Sequence, residues 1–209
     1  MNNQWNKLIY KAWAPIYDRL FDSSRFRRAR ERVFQKAGIR DGSRLLLVGV
    51  GTGADLQFLT GLNLKITAID LSKDMIAQAR SKAGTQDIQF LEMDAQQLAF
   101  SDHQFDVVIA NLILSVVPDA NQCFDEIVRV TREDGQIIIM DKFAPQSGKL
   151  PLGKALLRPI ISLFGTDIGR SFEQIISRHP ERIHVEHDEG VMLGGMYRGI
   201  LLKKTGQRK

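Results

Sequence analysis

"LLLVGVGTGADLQFL", Leu45 to Leu59, is an apolar run that stops on three glycines spaced two apart, with the start of a helical pattern behind it. In a strand-turn-helix unit, glycines allow backbone angles closed to other residues and let a ligand approach the main chain closely. Gly49, Gly51 and Gly53 therefore read as the floor of a nucleotide-type pocket. Gly49, Gly51 and Ala54 also satisfy G-x-G-x-x-A, so the glycines alone do not separate a dinucleotide from other adenosine cofactors.

Outward from this turn, strand-like runs alternate with helical patterns. The runs are 44–50, 64–70, 87–93, 105–111 and 135–141, with "RIHVEHD" at 182–188 and "YRGILLKK" at 197–204. Such alternation predicts an α/β fold, a parallel sheet covered by helices on both faces. Ser72 is a natural N-cap for a helix that puts Met75, Ile76 and Ala79 on one face. A later helix is expected over about Asn121 to Thr131, ended by "EDGQ" at 133–136.

More positions converge on the glycine turn. Asp70 ends the second strand about 20 residues past it, where a carboxylate accepts hydrogen bonds from both ribose hydroxyls. Met75 is placed to lie against a purine face. Asp94 is placed to accept from an adenine amino group while the N–H of Ala95 donates to the ring. Three elements thus meet one adenosine.

The ordered set "VGVGTG", "AIDLSKDMIAQAR", "FLEMDAQQLAF", "FDVVIANLILSVVPD" and "RVTREDGQIIIMDKFAP" resembles the class I S-adenosylmethionine-dependent methyltransferases, over Arg44 to Lys203. The resemblance implies a Rossmann-like seven-stranded sheet of order 3-2-1-4-5-7-6, with strand 7 antiparallel. It also implies that Gly49, Gly51 and Gly53 meet the methionine part of S-adenosylmethionine, Asp70 the ribose, and Met75, Asp94 and Ala95 the adenine, with Leu71 also among the cofactor-binding residues. Asn111 and Leu112 then lie near the reacting methyl. One position departs: Leu47 stands where the family commonly carries an acid that organises the region around the methionyl ammonium. Asp55 is a candidate substitute, although a carboxylate in the first turn of a helix is sufficiently explained by the helix dipole.

The 209 residues, 44% hydrophobic, suit one domain over 1–209. Its expected parts are an N-terminal helical lid (1–38), a cofactor-binding core (44–141), a substrate-facing insertion (142–172) and C-terminal strands (173–209). No run reaches the ~20 apolar residues of a membrane span and "MNNQWNK" lacks signal-peptide character, so a cytoplasmic protein is expected. The single cysteine, Cys123, excludes an internal disulfide and reads as a small core residue. A G-x-S-x-G elbow is absent, and His184 and His187 diverge on a regular strand, so neither triad chemistry nor a metal site is expected.

A net charge of +5 and a pI near 9.4 suit an anionic partner. Trp5, Leu8, Ile9, Trp13, Ile16, Tyr17, Leu20 and Phe21 recur near the helical period, and Pro15 divides them into two helices. The stretch 148–165 joins an apolar face to Lys149, Lys154 and Arg158 with no acid, a pattern suited to an anionic membrane surface. Arg25, Arg27, Arg28, Arg30 and Arg32 add positive charge, partly offset by Glu31, and read either as part of a basic surface or as a solvated face.

"YKAWAPIYDRLFD", "LILSVVPDA" and "MYRGILLKK" resemble the bacterial phosphatidylethanolamine N-methyltransferases, relatives of the ubiquinone and menaquinone C-methyltransferases. A phospholipid acceptor and peripheral membrane association follow as expectations, with no nucleic-acid partner. Lys142, Arg170 and Arg198 are then candidate phosphate partners, with Tyr10 and Tyr197 also on the substrate side. Tyr17 and Asp141 are the candidates to orient or deprotonate the amine. A quinone or a small soluble metabolite is the alternative acceptor.

Overall fold

In the computed structural model, which describes residues 23–144 and 169–206, the chain forms five parallel strands and two later ones that close the sheet. The elements are α1 (Ser24–Ala37), β1 (Arg44–Val48), a 3-10 turn (Leu56–Phe58), β2 (Lys65–Asp70), α2 (Lys73–Lys82), β3 (Ile88–Glu92) and β4 (Phe105–Ile109). They continue as α3 (Ala120–Val130), β5 (Thr131–Lys142), α4 (Phe172–Ile176), β6 (Ile183–Met192) and β7 (Tyr197–Lys204). The strand order is β3-β2-β1-β4-β5-β7-β6, and β7 runs antiparallel to both of its neighbours. This is the expected sheet. Its order reverses between β1 and β4, and ligands bind open α/β sheets in the crevice outside the strand C-termini at such a reversal.

The apolar run in β1 is continuous because both faces of the strand are covered. Leu46 and Val48 pack into the cluster under α3 and α4, with Phe124, Ile127 and Phe172. Leu45 and Leu47 face the other way, into the cluster of Phe26, Ala29 and Val33 from α1 and Ile76 and Ala79 from α2. Leu47 is only 2% exposed there. A carboxylate at that position would enter an apolar cluster.

The helices are built as their sequences suggest. Ser72 Oγ accepts from the Met75 N–H, and Met75, Ile76 and Ala79 are buried. Asp119 caps α3 by accepting from the N–H groups of Asn121 and Gln122. At the far end of α3, the buried Lys204 ammonium donates to the carbonyls of Val128 and Thr131, completing groups that a helix C-terminus leaves open. α1 buries Phe26, Ala29, Val33 and Ala37 and turns Arg25, Arg27, Arg28 and Arg32 to solvent. Arg30 breaks the expected solvated face, being 5% exposed.

Two local expectations are corrected. The pattern after the glycines yields only the 3-10 turn Leu56–Phe58, because Gly61 at φ +82° takes the chain out of helical space. A turn of three residues has little dipole, so that explanation of Asp55 loses its basis. Likewise "EDGQ" does not end a helix: α3 stops at Val130 and β5 starts at once. The pairing jumps from Phe105 with Thr131 to Val107 with Gln136, leaving 132–135 as a bulge. Gly135 is required in it, since a Cβ there would lie 2.7 Å from the Arg132 carbonyl oxygen.

The aromatic N-terminal pattern and the basic stretch at 148–165 lie outside the described residues, as do Tyr10 and Tyr17. Among the described residues no helix is long and apolar enough to cross a membrane.

Candidate functional site

A cleft opens at the C-terminal ends of β1, β2 and β4. Gly49, Gly51, Asp70, Leu71, Met75, Asp94, Ala95 and Asn111 all line it, so eight of the nine expected cofactor residues meet at one cleft. Gly53 does not. A Cβ on Gly53 would sit 3.0 Å from Ala79 Cα, so this glycine lets the turn pack on α2.

The glycine floor needs bare backbone. Gly49 has φ +72°, and a Cβ on it would meet Ile113 Cδ1 at 2.7 Å. Gly51 has φ +54° with open space where a Cβ would be, and its N–H donates to Asp70 Oδ2 at 2.9 Å. Asp70 Oδ1 accepts from the Ser72 N–H at 2.9 Å. Burial pushes the Asp70 carboxyl up from its usual value, opposed by hydrogen bonds from the N–H groups of Ser72, Gly51 and Leu71. A carboxylate offers about four acceptor sites, so capacity is left for a ribose diol.

Asp94 is fixed by a residue that the sequence reading passed over. Gln96 donates to it from its backbone N–H at 2.9 Å and from its side-chain amide at 3.1 Å. The Gln96 carbonyl accepts from the Asp119 N–H at 2.8 Å, which ties the adenine end of the cleft to the start of α3.

At the opposite end, Asn111 Oδ1 accepts from the Met140 N–H at 2.7 Å and Nδ2 donates to Asp55 Oδ2 at 2.9 Å. The Met140 donor decides which way this amide points. Arg30 Nε lies 2.8 Å from Asp55 Oδ1, and both residues line the cleft. Arg30 was also missed, because one arginine in a row of five gives no sign of which turns inward. Beyond Asn111, Leu112 adopts φ +56°, unusual for a side chain of its size, and its N–H donates to the Met140 carbonyl. With Ile113, Val116 and Val117 it forms an apolar wall.

The acceptor-side candidates fall elsewhere. Arg170 spends its guanidinium on the carbonyls of Leu114, Val117 and Pro118, bracing the loop that bears this apolar wall. Arg198 pairs with Asp188 and Glu173 and lies over the rings of Phe143 and Phe172, so it is an internal ion pair and not a phosphate site. Asp141 is fully buried outside the cleft lining and accepts from the N–H groups of Ser115 and Lys142. In this position it anchors the loop after β4. Burial raises its carboxyl. Tyr197 is 6% exposed, edge-on to Phe26. Lys142 is 8% exposed, and burial pulls its ammonium down against the pull of Asp141.

No group of residues able to hold a metal occurs among the described residues. The glycine floor without side chains, the acceptor capacity of Asp70, the thioether of Met75 and the clipped Asp94 together fit an adenosyl ligand.

Residues 46–139 match the family model described as a methyltransferase domain. The chain is 33% identical over 192 residues to a phosphatidylethanolamine N-methyltransferase of Cereibacter sphaeroides, covering 90% of this chain and 92% of that one. It is 29% identical over 177 residues to a demethylmenaquinone methyltransferase of Staphylococcus aureus, covering 79% and 72%. A SAM-dependent methyltransferase of Aquifex aeolicus shares the fold with a TM-score of 0.69 at 20% identity, over 92% and 98% of the two chains. An adenosyl-shaped cleft at the reversal of a 3-2-1-4-5-7-6 sheet and these similarities identify the chain as a member of the S-adenosylmethionine-dependent methyltransferases.

Proposed function

We propose that the enzyme methylates the amine of phosphatidylethanolamine at a membrane surface. The observation that carries this reading is the 33% identity across nine-tenths of both chains to an enzyme of that name. Two features of the chain support it. α1 turns four arginines to solvent, a cationic face suited to anionic headgroups, and the cleft wall past Asn111 is apolar, as acyl chains require.

In this reading Gly49 and Gly51 let the donor approach the main chain, and Asp70, beside Leu71, accepts from its ribose. Met75, Asp94 and Ala95 receive its adenine. The bound donor supplies a sulfonium methyl already activated for in-line displacement. The protein's work is to align the acceptor, exclude water and take one proton from the amine. Asn111 and Leu112, on the cleft lining, are proposed to border the reacting position. Tyr17, with Tyr10, is proposed to orient the amine. Lys142 is proposed as the headgroup partner, since Arg170 and Arg198 are committed to internal contacts.

The similarity to a demethylmenaquinone methyltransferase, together with the same apolar wall, favours a quinone as the second reading. One experiment separates the two. Enzyme and labelled donor are incubated with phosphatidylethanolamine liposomes, with and without anionic lipid, and in parallel with quinone acceptors. Label in the lipid, increased by anionic lipid, supports the first reading. Label confined to quinone or soluble acceptors overturns it.

A further inference from the structure

Arg30 and Asp55 are the only oppositely charged residues in ion-pair contact on the cleft lining, among the described residues, and neither belongs to the glycine motif. The side chains are 6% and 15% exposed. Their contact is one of charge, without hydrogen-bond alignment: Asp55 Oδ1 is buried with no aligned donor among the described residues. Asp55 Oδ2, by contrast, is held by Asn111, whose amide is locked by Met140. The carboxylate is thus fixed in place with one oxygen short of an aligned donor among the described residues. A buried oxygen in that state costs stability unless something else uses it.

Leu47 sharpens the point. It faces the apolar cluster beneath α1 and α2, so the strand supplies no negative charge to the cleft. Asp55 supplies one from the other side of the glycine turn. An acid alone there would be an unpaired buried charge, and Arg30, reaching in from α1, prevents that. Opposite charges side by side in a neutral pair match the amino-acid end of a zwitterionic ligand, which brings one ammonium and one carboxylate and leaves the net charge unchanged.

We propose that Arg30 and Asp55 form the receptor for the amino-acid end of the methyl donor, with the ammonium on Asp55 and the carboxylate on Arg30, in place of an acid on β1. The site therefore selects ligands by the zwitterion as well as by the adenosine. This rests on the donor being S-adenosylmethionine and is independent of the acceptor.

Calorimetric titration tests it with S-adenosylhomocysteine, its decarboxylated analogue and 5′-methylthioadenosine, which keeps the adenosine and lacks the amino-acid end. Asp55→Asn preserves an acceptor for Asn111 and should weaken S-adenosylhomocysteine by roughly tenfold to a hundredfold, the range for a hydrogen bond to a charged group, while leaving 5′-methylthioadenosine unchanged. Arg30→Gln should weaken S-adenosylhomocysteine similarly and leave the decarboxylated analogue unchanged. Proportional weakening of all three ligands would mean a purely structural pair and would overturn the proposal, as would unaltered affinity for S-adenosylhomocysteine. Should either variant lose its cooperative melt, the unaltered enzyme decides: loss of the carboxylate or of the whole amino-acid end must each cost at least about tenfold, and equal affinities refute the assignment. Failure of 5′-methylthioadenosine to bind at all, while S-adenosylhomocysteine binds, supports the zwitterion as the dominant anchor. Failure of every ligand refutes the donor site itself.

Discussion

Arg30 Nε lies 2.8 Å from Asp55 Oδ1, so a charged side chain from α1 reaches the far side of the glycine turn while Leu47 on β1 remains in apolar packing. The helix that precedes the core is therefore part of the cleft and not merely a cover for the sheet.

Restoring the family's usual acid by Leu47→Glu should harm the protein. The position is 2% exposed and surrounded by apolar side chains, so an uncompensated carboxylate should cost about 3 kcal/mol or more. Urea unfolding measures the loss. A variant as stable as the parent, with tighter donor binding, would show that Leu47 is a tolerated accident.

Asp70 both anchors Gly51 and offers its remaining lone pairs to the cleft. Asp70→Ala should reduce binding of S-adenosylhomocysteine by roughly a hundredfold, since a charged acceptor is removed and the turn loses its tether. Equilibrium dialysis checks this, and unchanged uptake would remove Asp70 from the site.

Cys123 is 0% exposed, and burial, with the nearby charges of Asp94 and Asp141, pushes its thiol far above the usual range. The folded protein should not react with a maleimide over hours at neutral pH and should react within minutes in 8 M urea, about the concentration that unfolds a domain of this size. Rapid labelling of the native enzyme would contradict the packing of α3.

Arg129 hydrogen-bonds both carboxylate oxygens of Glu126, and these bonds hold the glutamate below its ordinary value, against partial burial. A carboxyl depressed on folding adds stability that is present above its unfolded value near 4.3 and is lost as pH falls through the folded one. Glu126→Gln should therefore lower the melting temperature at neutral pH and flatten its fall between about pH 5 and pH 3. Parallel curves for parent and variant would exclude this contribution.

The sheet was legible because each element carries its own signal. Gly49 and Gly51 mark a turn of positive φ, Ser72 marks a cap, and Asp70 ends a strand in register with the glycines. What escaped was set by tertiary context. Nothing local to Arg30 separates it from Arg28 or Arg32; only the packing of α1 against β5, β6 and β7 decides which arginine turns inward. Gln96 binds Asp94 two residues away and α3 through Asp119, a link that spans 23 positions. Asp141 and Arg198 were candidates for the amine and the phosphate because nothing local shows that the loop after β4 and α4 cover them. The helix expected after the glycines failed at Gly61, whose positive φ overrides the apolar spacing of Leu56 and Leu59.

β7 lies between β5 and β6, and among the described residues β6 has no other strand beside it. On the ribosome, β6 emerges before the strand that must separate it from β5, and it has to wait unpaired until β7 follows. The edge of the sheet is thus finished in a single late step, and amide protons of β6 and β7 should exchange together when it comes apart.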